Sequence, residues 1–86
     1  MQWEIDVRES AEQIAAFKLP GSIEQAVIED MMRAIVAKRL SYAEIVGCTW
    51  HAEHGRLSHL DVQRLDGGQT LECGGSGPVY VYARRV

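Results

Sequence analysis

Cys48, His51, His54, His59 and Cys73 are the residues of this 86-residue chain whose types suit a metal or a nucleophile. Thiolate and imidazole are preferred zinc ligands, and a thiol beside an imidazole is the simplest arrangement for nucleophilic catalysis. The spacing argues against both. Cys48-x2-His51-x2-His54, with His59 and Cys73 further on, follows no zinc-finger pattern. In a strand over 47–52, Cys48 and His51 point to opposite faces, because successive side chains alternate. Buried reduced cysteines and solvated histidines are therefore expected, with no metal and no cofactor. Two cysteines are also too few for a disulfide scaffold. Gly75-Ser76-Gly77 lacks the flanks of a nucleophile elbow. The glycines from Gly74 precede a strand, with no Lys-Ser/Thr after them, so they do not read as a phosphate loop. Asp61 and Glu72 have no evident apolar pocket to tune them. The chain is expected not to be an enzyme.

The elements that must position these residues fit one domain, residues 1–86. Nine Lys and Arg stand against twelve Asp and Glu, for a net charge of −3, with 47% hydrophobic and 24% charged residues. That composition excludes a disordered tail and a coiled-coil rod. No apolar run approaches the roughly 20 residues of a membrane helix. Residues 1–8 alternate polar and apolar without a signal-peptide core, so a cytoplasmic location is expected. Basic groups are spread, 5 against 7 acidic in residues 1–40 and 4 against 5 in residues 41–86. A duplex-DNA binder needs them clustered to displace counterions. Nucleic acid and membrane are therefore not the expected partners. A protein is, and the mild acidity favours a basic, nucleic-acid-binding surface on it.

Hydrophobic periodicity predicts an α+β fold in the order β-α-α-β-β-β-β: a small antiparallel sheet with one long helix on one face. Trp3, Ile5 and Val7 alternate with polar residues as a first strand. Ser10–Lys18 reads as a short helix, stopped by Pro20-Gly21. Ser22 and Gln25 form a capping box that opens a long helix to about Leu40, with Glu29 and Arg33 paired one turn apart and Lys38 and Arg39 in the last turn. At about 100° per residue its apolar side chains, Ile23 to Val36, sweep roughly 220°, where a helix on a sheet needs a stripe of about 100°. The excess goes either under the short helix or to a second copy of the chain, giving a homodimer through Met32 and Val36.

From about Glu44 the period changes to two. A strand over 47–52, a hairpin loop at Glu53-His54-Gly55 and a strand over 57–65 follow, with Val46, Cys48 and Trp50 sharing a face with Val62 and Leu60. Asp66-Gly67 signals a type I′ turn that sets Val62 opposite Leu71 and Leu60 opposite Cys73. Gly74–Pro78 is read as a flexible connector to a last strand, Val79–Ala83. Trp50, Leu60, Val62, Leu71, Val79, Val81, Val27, Met31 and Ile35 are the expected core. His51, His59, Asp61 and Glu72 fall together on the outer face.

Without a cofactor motif, a nucleophile arrangement or a basic field, the expected function is a small non-enzymatic protein-binding module. Its contact residues are Met32, Val36, His51, His59, Asp61, Glu72, Tyr80 and Tyr82. In size and acidity the chain resembles small phage and mobile-element proteins, the anti-CRISPR group among them; the resemblance rests on no residue motif. It implies a steric inhibitor or adaptor. The alternative is a small nucleic-acid-binding regulator. Leu40–Gly47 resembles the first helix and turn of a helix-turn-helix, 57–65 can be drawn as its second helix, and Tyr80 and Tyr82 beside Arg84 and Arg85 offer stacking next to cations.

Overall fold

Trp3, Ile5 and Val7 do form one face of a first strand, and that face is buried. The computed structural model describes residues 1–75 and 77–86, so Ser76, in the glycine-rich connector, lies outside the described residues. The elements are β1 (Gln2–Glu9), β2 (Glu12–Pro20), α1 (Gln25–Ala37), α2 (Tyr42–Glu53), β3 (Val62–Leu65), β4 (Thr70–Cys73) and β5 (Val79–Arg85). The fold is α+β, with one antiparallel sheet in the order β2-β1-β5-β4-β3. Two helices accompany it rather than one long helix beside a short one, and the order is β-β-α-α-β-β-β.

The expected short helix at Ser10–Lys18 is a strand. Ser10 and Ala11, both at positive φ, make a two-residue turn that folds β2 back on β1. The Ser10 amide donates to the Pro78 carbonyl at 2.8 Å, so tertiary contact holds a turn that these residue types do not favour alone. With β1 alongside, the backbone groups of 12–20 that face β1 are satisfied by ladder hydrogen bonds, and the weak Ile14–Phe17 helical spacing is overridden.

The helix α1 lies across β5, β4 and β3. Ile28, Met32 and Val36 face inward at 1% exposure or less, joined by Leu71, Cys73, Val79, Val81 and Ala83 from the sheet. Each fully buried large side chain contributes about 1.5–3 kcal/mol of transfer free energy. The helix is thus rotated by about 100° from the orientation expected, which put Val27, Met31 and Ile35 innermost. Met31, Ile35 and Ile23 pack at the margin of the core, and only Val27 is exposed. Internal burial therefore absorbs most of the wide apolar arc, and Met32 and Val36 are not available to a second copy. The helix starts at Gln25, after Glu24, without a side-chain cap, so Ser22 does not cap it, and Lys38 and Arg39 fall just beyond its end. The Glu29–Arg33 pair forms at 3.6 Å. Ahead of the helix, the Ile23 carbonyl accepts from Trp3 Nε1 at 2.9 Å and from Arg85 at 3.0 Å, tying the loop to both terminal strands.

Residues 42–53 are the helix α2, where a strand over 47–52 leading into a hairpin loop at Glu53-His54-Gly55 was expected. The reason is local. Ser41 Oγ accepts from the Glu44 amide and Glu44 Oε1 accepts from the Ser41 amide, at 3.2 and 3.0 Å, a complete capping box. The Ser41 amide bonded to Glu44 Oε1, and after it the Ser41 side chain, hold the Glu44 carboxyl below its usual value. Cys48 is the one buried residue of α2. Trp50, expected in the core, is 45% exposed, stacked on His54 at 3.9 Å under the guanidinium of Arg56. A 12-residue helix with so little burial leans on its cap. Ser41→Ala is expected to cost about 1 kcal/mol, read as faster amide exchange in α2 while α1 is unchanged. Equal acceleration in both helices would show that they open as one unit.

Strand β3 covers only the last four residues of the expected 57–65 segment. A helix-turn-helix is excluded, because its second helix would need this segment coiled. Asp66 and Gly67 both take positive φ, as the turn signal required, but the loop runs on through Gly68 and Gln69. The register is therefore Val62 with Cys73 and Arg64 with Leu71, two residues from the expected pairing. A shift of two preserves the inward face, a shift of one reverses it.

Candidate functional site

Among the described residues, the face of the sheet opposite α1 carries no helix. It can be built from β1 outward. With Trp3, Ile5 and Val7 inward, Glu4, Asp6 and Arg8 must point to the other side. Register then fixes their neighbours. Glu4 lies between Lys18 and Arg84, with Thr70 beyond; Asp6 lies between Ala16 and Tyr82, with Glu72 and Gln63 beyond; Arg8 lies between Gln13 and Tyr80. A hollow of about 480 Å³ lies on this face across β2, β1 and β5, bordered by Glu4, Asp6, Gln13, Lys18, Tyr82 and Arg84.

The electrostatics are those of a mixed surface. Arg8 Nε donates to Asp6 Oδ2 and Gln13 Nε2 to Asp6 Oδ1, each at 2.9 Å. Partial burial works to raise the Asp6 carboxyl, but these bonds outweigh it and hold the group below its ordinary value. Tyr80 and Tyr82 meet edge-on, ring centres 5.5 Å apart. Burial, the charge of Glu72 and a hydrogen bond to that carboxylate push the Tyr82 hydroxyl up, so it stays a donor. Cations Arg8, Lys18 and Arg84 are interleaved with anions Glu4, Asp6 and Glu72.

Of the expected contact residues, Glu72, Tyr80 and Tyr82 share this open face. Asp61 borders a second hollow with Ser58, Gln63 and Glu72, of about 330 Å³, and its carboxylate accepts the Ser58 amide. His51 and His59 do come together, but by a different route from the expected hairpin. Glu44, Cys48 and His51, spaced four and three apart, share one side of α2. With Leu57, Ser58 and His59 they line a third hollow of about 230 Å³, where His51 Nδ1 lies 3.3 Å from the Leu57 carbonyl. Cys48 and His51, assigned to opposite faces of a strand, therefore border one hollow. Among the described residues no group of three or more His, Cys, Asp and Glu is placed to hold a metal ion. Met32 and Val36, expected at a partner interface, lie in the core. Sequence reasoning did not assign Glu4, Asp6, Arg8, Gln13 or Lys18 to a binding face, and it offered Arg84 only beside Tyr80 and Tyr82 in the nucleic-acid reading. The polar half of β1 was the available signal, and reading β2 as a helix hid how wide the face is.

Both cysteines are free and buried. Burial pushes the Cys73 thiol up to about 11 from an ordinary 9.0, and its Sγ donates to the His59 carbonyl at 3.6 Å. The folded chain holds this proton where the unfolded chain releases it. Cys73 therefore stabilises the fold fully below pH 9, and that share is lost as pH rises toward about 11. Urea midpoints between pH 8 and 11 are expected to fall, and the fall to shrink in Cys73→Ala. An identical slope in that variant would assign the loss to other groups.

Compared with protein-family models, with curated proteins and with solved structures, the chain matches none.

Proposed function

We propose that this chain is a small non-enzymatic protein-binding module that engages its partner through the open face of the sheet and acts sterically, as an inhibitor or adaptor. The observation that carries the reading is the uncovered face itself, with Tyr82 and Arg84 bordering its hollow and Tyr80 paired with Arg8 next along the strands. Tyrosine and arginine are the side chains that most often anchor protein interfaces, because each combines large contact area with directed hydrogen bonds. The alternating charges favour a protein partner of mixed charge rather than a uniformly basic one, and they set register more than raw affinity.

Single-stranded nucleic acid is the second reading, favoured by the paired tyrosines next to cations. The carboxylates of Glu4, Asp6 and Glu72 count against it, since they cancel the field that phosphates need.

The test is a pull-down from the native host with wild-type chain and with Tyr82→Ala and Arg84→Glu. A protein retained by wild type and lost by both variants, with their circular dichroism unchanged, supports the reading. Retention by both variants moves the site off this face. Salt-dependent retardation of an oligonucleotide by wild type, lost in Tyr82→Ala, would put the second reading first.

A further inference from the structure

Among the described residues the sheet ends at the outer edge of β2, so the outward N–H and C=O groups of this strand have no strand beside them. The opposite edge, β3, has four residues, whereas β2 has nine. Short edges are one way in which sheets avoid association; β2 lacks that protection. The bulge opposite Val7 and Arg8 interrupts β2 at Ile14, and Pro20 ends it. Between them Ala15–Leu19 runs as regular strand. Its helix-side residues, set by pairing with Val7, Ile5 and Trp3, are Ala15, Phe17 and Leu19. The helix α1 covers the other half of the sheet, which leaves Ala15 exposed and Phe17 at 38%.

We propose that a second copy of this chain pairs with β2 along this edge, antiparallel about a two-fold axis at Phe17, joining two five-stranded sheets into one of ten strands. The occupant is argued from the strand's own pattern. Pairing about Phe17 sets Ala15 opposite Leu19 of the partner subunit and Phe17 opposite Phe17 of the partner subunit, all on the helix side. On the open side Ala16 meets Lys18 of the partner subunit, so no like charges face each other across the seam. Any occupant of this edge must be extended and apolar at alternate positions, and β2 is such a segment with the matching hand. The contact is isologous and uses up the edge in each copy, so association stops at two. The pairing leaves the open face free and makes it continuous across both copies. It stands whether or not that face binds anything.

The experiment is size-exclusion chromatography with light scattering on the full chain, over a concentration series up to about 1 mM. Alongside it, amide exchange is followed on the wild-type chain and on Ala15→Lys. The expected mass is twice the 9.6 kDa of one chain, falling to one chain on dilution. Alternate amides within 15–19 are expected to exchange at least about tenfold faster once diluted. Ala15 is exposed in the single chain, so Ala15→Lys is expected to keep its circular dichroism and run at 9.6 kDa. Val46→Lys, on the exposed side of α2, is expected to leave the dimer intact. If Ala15→Lys fails to fold, the dilution dependence of wild-type exchange decides alone. A single-chain mass throughout overturns the proposal, as does a dimer that survives in folded Ala15→Lys. A dimer dissolved by Val46→Lys would place the contact on α2 and overturn it equally.

Discussion

Gly74→Ala is expected to lower stability by roughly 2–5 kcal/mol, read as a large drop in urea midpoint. Gly74 is buried just after β4, at φ +82°, a conformation that costs any L side chain about 1–2 kcal/mol. A Cβ there would run into the Val79 carbonyl oxygen and come within 3.0 Å of Val36 Cγ2. Neither neighbour yields easily. Val79 opens β5, the central strand, paired on both sides, and Val36 belongs to the core face of α1. Overpacking adds about 1–3 kcal/mol to the backbone term. Gly55→Ala separates the two effects. Gly55 has φ +67° with open space around it, so that substitution is expected to cost only about 1 kcal/mol. Equal losses at the two positions would mean that the β4–β5 connection moves aside and that its close packing adds little.

Met32→Ala is expected to cost about 2–5 kcal/mol, and Met32→Asp to unfold the chain rather than to release a folded monomer. Met32 is wholly buried between Ile28 and Val36 on the inner face of α1. Truncation leaves a cavity against the sheet, and a carboxylate there would have no cation or donor to meet it, since the core around it is apolar. The same aspartate placed at Val27, on the exposed side of the helix, is expected to leave the fold intact. Urea melts with light scattering distinguish the cases. A folded, monomeric Met32→Asp protein would show that the core is assembled differently.

Where local chemistry and tertiary demand agreed, the elements were legible. The alternation in β1 and β5, the Glu29–Arg33 pair and the Asp66-Gly67 turn were all readable, because each depends on near neighbours. The inward face of the C-terminal hairpin was also readable, since the extra loop residues shift the register by two. β2 was not readable, because its turn uses Ser10 and Ala11 at positive φ, where glycine or asparagine would have signalled a hairpin. For α2 two local signals conflicted. The capping box at Ser41 and Glu44 outweighed a period-two pattern that carried no partner strand.

The candidate site divides in the same way. Tyr80, Tyr82 and Glu72 were assignable to an outer face by alternation alone, and alternation also carried the polar half of β1. That these rows form one surface, with Lys18 and Gln13 at its far side, depends on β2 being a strand.

Sequence by itself determined the class of fold, the first and last strands, and the apolar arc of α1. Those follow from periodicity and from charge, which act over a few residues. Tertiary structure decided which part of that arc faces the sheet, since two rows of apolar side chains, Val27–Met31–Ile35 and Ile28–Met32–Val36, were nearly equivalent and the match to Leu71, Val81 and Ala83 chose between them. It also decided which face remains open and which edge remains unpaired. Both depend on where a single helix comes to rest on a five-stranded sheet, a packing outcome that no stretch of neighbouring residues encodes.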